Sequence, residues 1–570
     1  MRALPPVVGL AAVLSALSGV CAQPEQRAVW ANYRQVSTPE GVRDTVEKVS
    51  AAHLNAIYLL VWYNGGQAAY QSELGPMMRG VAEGHDPLGA LIEAAHARGI
   101  HVHAWFVNGS YGYANPGHLF TRHPEWQLQT GATGSTKWYD LGKPQVRQFE
   151  RDVMLECLRN YDLDGIHFDY IRFSGRGMCT CDHCQAEVQR RFGIPPVSAG
   201  NPTFPIALEM SGNPLDKPTT AQVLAAFEDG VPAITLNGLG EGEAVLLNWQ
   251  AVRSGGHPVT AFAAEMLARF GVDAETTVYQ LRTAATMARY GLSGQDAGVR
   301  WLQGLGCKVR AVGDEDLDKV PAGATVALFG QYLIAPETAG WLESFVTAGG
   351  HVLCVDGPVF AIKEPALQRV LGLSGTANYF SALRVISPAP DQELIAAGPP
   401  LDLEVEKRRS AAWEQFRRDS VTELVRMVYR DAKALKPEAQ VSAAVFQDRK
   451  SADAVCQDWY GWLGEGIIDY VLPMAYTDDT EQLKGQFDEW QAFDPQMQRI
   501  IPGLSIYSSV GAETHTRDID LILQQHGLCA QYGTHGTCFF SLEYLSPELQ
   551  QTLAEGPYKE PAEPYYPAGR

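Results

Sequence analysis

The residues best suited to chemistry fall in one run, Asp164-Gly165-Ile166-His167-Phe168-Asp169-Tyr170-Ile171-Arg172-Phe173. An Asp-Gly turn opens a short β-rich stretch that ends in a carboxylate, a phenol and a guanidinium. Alternation sends Ile166, Phe168 and Tyr170 to one face and His167, Asp169 and Ile171 to the other. A charged Asp in a buried strand is costly unless it stands at the strand's mouth with partners. In a parallel α/β protein, the carboxyl end of a strand is where reacting groups are held. A pair of such carboxyls can break a glycosidic bond: one protonates the leaving oxygen, the other serves as nucleophile or base, and their separation decides retention or inversion. Asp169 is the first of the pair, as nucleophile or as acid; the plain alternative is an Asp held in a structural salt bridge with Arg172.

The second carboxyl must come from another strand end. Glu543 follows Phe539-Phe540-Ser541-Leu542, while Asp478 and Asp479 follow Met474-Ala475-Tyr476-Thr477. A Thr-Asp-Asp-Thr run also caps a helix well, which tips the choice toward Glu543. Trp62, Trp105, Asn108, Arg172 and Tyr476 are expected to line the same mouth and bind substrate; Asn-Gly at 108–109 is equally ordinary turn chemistry. Arg172 would hold Asp169 ionised by its charge. His167 reads as a satisfied core histidine. A second cluster follows directly, Cys179-Thr180-Cys181-Asp182-His183-Cys184. Three thiolates need a fourth ligand to close a tetrahedral zinc site, and Cys157, His183 and His123 are the candidates. The alternative is oxidation of two of the three in an exported protein. A closed thiolate site would stiffen its loop and take no part in catalysis.

These residues require a scaffold of strands and helices in alternation. Strands are expected at 27–36, 55–63, 100–107 and 164–173, with helices at 38–52, 87–98 and 143–160 between them. The pattern resumes after residue 409, with helices at 411–435, 453–465, 482–493, 517–532 and 547–556. The matching strands are 440–446, 467–476, 499–507 and 536–544. Eight strands alternating with eight helices are the mark of a (β/α)8 TIM barrel. The barrel halves are 23–195 and 409–556, with a flexible tail over 557–570. Residues 196–408 form a smaller α/β domain inserted after strand 4, with a hairpin at 231–252 and strands at 308–312, 324–329 and 351–355.

Composition sets the outer limits. A formal net charge of −20 argues against nucleic acid or any other polyanion as partner. The 12 Trp and 23 Tyr suit a sugar cleft, which needs flat apolar faces with polar rims, although core packing uses the same residues. Arg2, the apolar stretch Val7 to Leu17 and Val20-Cys21-Ala22 read as a signal peptide over 1–22, cleaved before Gln23. Export to the periplasm or the medium follows, with no later run suited to span a bilayer. Nine of the ten cysteines remain after cleavage, an odd number that is no disulfide framework.

The two outer pieces resemble the glycosyl hydrolase-like family ten domain. The resemblance rests on Arg27-Ala28-Val29-Trp30, Trp105, His123-Pro124-Glu125-Trp126, the Asp164–Phe173 run, Trp413 to Arg418, Asp469 to Tyr476 and Gly503-Leu504. It implies a secreted or envelope glycoside hydrolase acting on a polysaccharide such as cell-wall glycan, without a cofactor in its chemistry. The rival reading is a glycan-binding barrel that lacks one carboxylate. The insert resembles the class I glutamine amidotransferase-like fold, but Cys354 lies inside a strand rather than in a strand-to-helix elbow, so no amidotransferase activity is carried over. A structural or homo-oligomeric role is open to it. The cysteine cluster is similar to the zinc-binding cysteines of family forty-two β-galactosidases, which supports a structural zinc.

Overall fold

Stretches that are apolar on both faces become strands with a packed interior on one side and helices on the other. In the computed structural model they are β1 (Gln26–Ala31), β2 (Ala56–Tyr63), β3 (His101–Val107), β4 (Gly165–Asp169), β5 (Gln440–Val445), β6 (Tyr470–Ala475), β7 (Gly503–Ser505) and β8 (Gly536–Phe540). Each pairs in parallel with the next, and β8 pairs with β1, closing the ring. The fold is a (β/α)8 barrel. The structure describes residues 24–110, 112, 118–129, 135–174, 179, 181–194, 206–212, 215–227, 230–248, 267–273, 275–290, 299, 302–303, 306–331, 333–355, 361–375, 380–388, 403–510 and 513–567. The expected signal peptide lies outside them. Among the described residues no helix is long and apolar enough to cross a membrane.

The outer helices are α1 (Pro39–Ala51), α2 (Pro87–His96), α3 (Pro144–Asn160), α4 (Leu403–Leu435), α5 (Trp459–Glu465), α6 (Thr480–Phe493), α7 (Ile519–Gln531) and α8 (Pro547–Glu555). Several starts are written in the sequence as a cap followed by proline. Thr38, Asp86 and Ser546 each accept a hydrogen bond from a backbone N–H in the first turn, and Pro39, Pro87 and Pro547 need no such partner. Between α3 and α4 the chain also forms a helix over Asp182–Phe192 and a second sheet.

Aromatic and polar rings fill the barrel. Trp30 donates its indole N–H to His167 Nε2 at 3.2 Å, and His167 Nδ1 meets Ser442 Oγ at 2.9 Å. Both nitrogens of His167 are engaged, and burial lowers its pKa well below the usual histidine range. It is a neutral core residue. Tyr58 bonds Tyr470 through the hydroxyls at 2.7 Å and stacks on His103. The expected flexible tail is instead held by contacts of Tyr558, Tyr565 and Tyr566. Tyr558 is fully buried with Arg27 above its ring, and the Tyr566 hydroxyl reaches His101 Nδ1 at 2.7 Å and His103 Nε2 at 3.0 Å. Tyrosines so enclosed anchor a chain that composition alone reads as loose.

The second sheet has nine strands. Lys308–Gly313, Thr277–Arg282, Thr325–Phe329, His351–Val355 and Gly242–Leu247 are parallel neighbours in that order. Pro232–Leu239, Gln222–Phe227, Phe380–Pro388 and Ile206–Gly212 continue it in antiparallel fashion. Four of these strands were not expected from the sequence, and the sheet is correspondingly larger than a layer of three strands and a hairpin. Cys354 lies in mid-strand without exposure, and burial pushes its thiol pKa up.

Candidate active site at the barrel mouth

Asp169 is the last residue of β4, with its side chain turned to the barrel axis and only 6% exposed. The Trp105 indole N–H donates to Oδ2 at 3.1 Å and the Tyr170 backbone N–H to Oδ1 at 2.6 Å. Alternation holds up to this point: His167 and Asp169 face inward while Ile166 and Phe168 pack under the helices. It then breaks, because Tyr170 takes a positive φ of 50° and ends the strand. Burial raises the Asp169 carboxyl to about 6, against the opposing effects of Arg172 and the two hydrogen bonds. Such a group holds its proton into the mildly acidic range and can still give it up.

Arg172 does not form the structural ion pair with Asp169 that stood as the alternative reading. Its guanidinium stands 4.5 Å from the Tyr170 ring centre, 4.7 Å from Phe446 and 5.4 Å from Trp138, stabilised by cation–π contact. Asp169 feels its charge across this aromatic shelf. On the other side Tyr476, 36% exposed, stacks on Phe540 with ring centres 5.2 Å apart. Phe540 in turn meets Trp30 and Trp105 edge-on. Although Tyr476 is partly open, its hydroxyl end is enclosed, and that burial first, and the Asp169 charge second, push the hydroxyl well above the usual tyrosine range. Trp105, Arg172 and Tyr476 therefore gather with Asp169. Phe540 and Trp138 belong to the same wall; an aromatic at a strand end, or in the long loop before α3, was the available signal.

Two expected mouth residues face away. Trp62 is 1% exposed and packs near Phe149 in the layer between barrel and helices. Simple alternation would put it beside Leu60 in the interior, but the β2–β3 register shifts between Leu60 and Trp62 and reverses the side-chain parity. Asn108 lies one position beyond inward-facing Val107 and follows the outer face. Its Nδ2 donates to Glu150 Oε2 of α3 at 2.9 Å, and it is fully buried.

The candidate second carboxyls have partners other than Asp169. Asp478 pairs with Arg517 at 2.8 Å and accepts from Ser508 Oγ at 3.2 Å. Asp479 caps α6, accepting from the Glu481 and Gln482 N–H groups. Glu543 is exposed in the short helical turn Leu542–Tyr544 after β8, and its charge acts on Arg34 beyond β1. Neither Asp478 nor Glu543 hydrogen-bonds to Asp169.

The three loop cysteines do converge, and the fourth group gathered with them is the Asp140 carboxylate. None of Cys157, His183 and His123 joins them; His123 stacks on Trp126 and faces Glu125. Asp140 lies far upstream of the cysteines, with no spacing pattern to flag it.

The family model described as Glycosyl hydrolase-like 10 matches residues 25–192 and 394–516, together just over half of the chain. The chain belongs to this family. The gap between the matched segments is the stretch that carries the second sheet. Glycosyl hydrolase YngK of Bacillus subtilis is 26% identical over 156 residues, which cover 25% of this chain and 30% of that protein. Glycosyl hydrolase DigH of Escherichia coli is 28% identical over 147 residues, 22% of this chain and 33% of its own length. The chain thus spans about a third of the curated relatives it matches. The PgaB glycoside hydrolase domain from Bordetella bronchiseptica superposes with a TM-score of 0.45 at 10% identity, covering 93% of this chain and 98% of that one. In this Glycosyl hydrolase-like 10 family member, the carboxyl at the end of β4 is buried at the barrel mouth and its pKa is raised by that burial.

Proposed function

We propose that this protein is an exported glycoside hydrolase that cuts a polysaccharide, with Asp169 as the general acid. The observation that carries the reading is a carboxyl held near pH 6 at the mouth of a closed barrel, between an indole donor and an aromatic wall. A proton donor to a leaving oxygen works best with its pKa near the working pH. Tyr476, Trp105 and the Arg172 shelf would bind sugar rings by stacking and hydrogen bonding. Asp478 is the better-placed partner. It follows β6, two positions past the Tyr476 ring that feels Asp169, whereas Glu543 follows β8, across the ring from β4. With Asp478 released from Arg517 by substrate, it would serve as base for the attacking water or as nucleophile.

The test is release of reducing ends from soluble and insoluble glycans, peptidoglycan included, by the parent and by Asp169→Asn, both shown folded by circular dichroism. The expected loss is about 10²- to 10⁴-fold for Asp169→Asn. A comparable loss in Asp478→Asn with little change in Glu543→Gln would support the pairing; the reverse pattern would assign the role to Glu543. Activity that survives Asp169→Asn would remove Asp169 from the chemistry. One observation favours the second reading, a glycan-binding barrel: among the described residues, Asp169 is influenced by Arg172, Tyr170 and Trp105 and by no second carboxylate. Glycan retention by both proteins with no cleavage by either would establish it.

A further inference from the structure

We propose that Asp140, Cys179, Cys181 and Cys184 form a closed, mononuclear zinc site that ties the loop after β4 to the start of α3. The four donor atoms lie within 4.8 Å of one another and all four residues are buried. Asp140 Oδ2 is 3.4 Å from Cys179 Sγ, 3.4 Å from Cys181 Sγ and 3.3 Å from Cys184 Sγ. With zinc–sulfur bonds of about 2.3 Å and a zinc–oxygen bond of about 2.0–2.2 Å, the oxygen–sulfur edge of a tetrahedron is about 3.5 Å. One oxygen nearly equidistant from three sulfurs at that spacing is the outline of a ligand tetrahedron. A disulfide would instead draw two sulfurs to about 2.05 Å and leave the third thiol alone with the carboxylate.

The surroundings complete the site. Gly142 N–H donates to Asp140 Oδ1 at 3.1 Å, occupying that oxygen and directing Oδ2 at the sulfurs. A side chain at Gly142 would put its Cβ 2.8 Å from Cys184 Sγ, so glycine leaves the room. Cys181 is the N-cap of Asp182–Phe192, and the Cys184 N–H points to its sulfur at 3.5 Å, a contact that favours thiolate. Three thiolates and a carboxylate around a divalent cation leave two negative charges. Lys143 Nζ, 3.7 Å from Asp140 Oδ2, and the Arg147 guanidinium, within reach of the Asp140 and Cys184 charges, offset both. All four ligands come from the protein, so the ion has no open position for substrate and acts as a brace. It fixes the segment through which the chain leaves the barrel for the second sheet.

The experiment is metal analysis of the full chain purified without a histidine tag, followed by cobalt exchange. The expected result is about one zinc per chain, and a cobalt form with the absorption of a tetrahedral thiolate site. Asp140→Asn should weaken zinc retention more than about 10-fold. Asp140→Cys guards against simple misfolding: it should keep zinc and move the cobalt bands to longer wavelength as oxygen gives way to sulfur. Zinc-free protein in which alkylation mapping finds Cys179, Cys181 and Cys184 all as free thiols would overturn the proposal, and so would a mass two hydrogens lighter from a disulfide. An Asp140→Cys cobalt spectrum identical to the parent's would remove Asp140 as a ligand.

Discussion

Asp169 and Glu150 are both largely buried carboxyls, and burial raises both, Asp169 to about 6 and Glu150 to about 8. They stand on opposite sides of one wall. Asp169 ends β4 on the inner side, where Trp105 and Tyr170 bond both its oxygens and the aromatic rim begins. Glu150 lies on α3, outside the barrel, where the Asn108 amide bonds one oxygen and the other has no partner. The more perturbed of the two is the one that no substrate can reach. A displaced pKa marks what burial costs; position at the open end of a strand decides whether the displaced proton can be used.

The widest separation should appear in turnover. Asp169→Asn is expected to lower kcat/KM at least about 10²-fold while Glu150→Gln stays within about twofold, measured on the same glycan. Equal losses would erase the distinction.

Stability should separate the pair in the other sense. Glu150 titrates near 4.5 in the unfolded chain and near 8 when folded. Between those values the unfolded state gives up its proton and the folded state keeps it, so stability falls as pH rises, and above 8 the full cost is present. Glu150→Gln removes that cost. By urea denaturation the variant should match the parent near pH 4.5 and exceed it by a few kcal/mol, about 2–5, near pH 8. A constant difference across pH would contradict a buried, protonated Glu150.

The finest effect concerns the falling limb of the pH–rate profile. An acid at Asp169 loses its proton above about 6, so kcat/KM should decline there. The Trp105 N–H favours the ionised carboxylate; Trp105→Phe should therefore move the limb to higher pH by about one unit. A limb that stays in place would mean it reports another group.

The barrel was legible because doubly covered parallel strands are continuous apolar runs, as in Ile57 to Val61, and because caps such as Thr38-Pro39 announce helices. Asp169 was legible because a lone carboxylate at such a strand's end has few structural uses. Trp62 was misplaced by one bulge, a backbone event without a side-chain signature. The hairpin Tyr507–Val510 with Glu513–Thr516 was missed beyond the short β7, and the strands at 206–212 and 380–388 because distant pairing, not local pattern, makes them. Asp140 could be recognised only once the fold had brought it beside Cys179, Cys181 and Cys184.

The β4–β5 seam has a consequence for synthesis. His167 and Ser442 bond across it at a separation of 275 positions. While the ribosome makes the intervening chain, β4 presents an unpaired parallel edge, the kind of surface that recruits other chains. The entropy of closing a loop grows slowly with its length but still weighs against a seam this distant, and a second sheet that folds first shortens the effective span. A second sheet that folded before the barrel closed would deliver β5 to β4 and leave the β8–β1 closure for last.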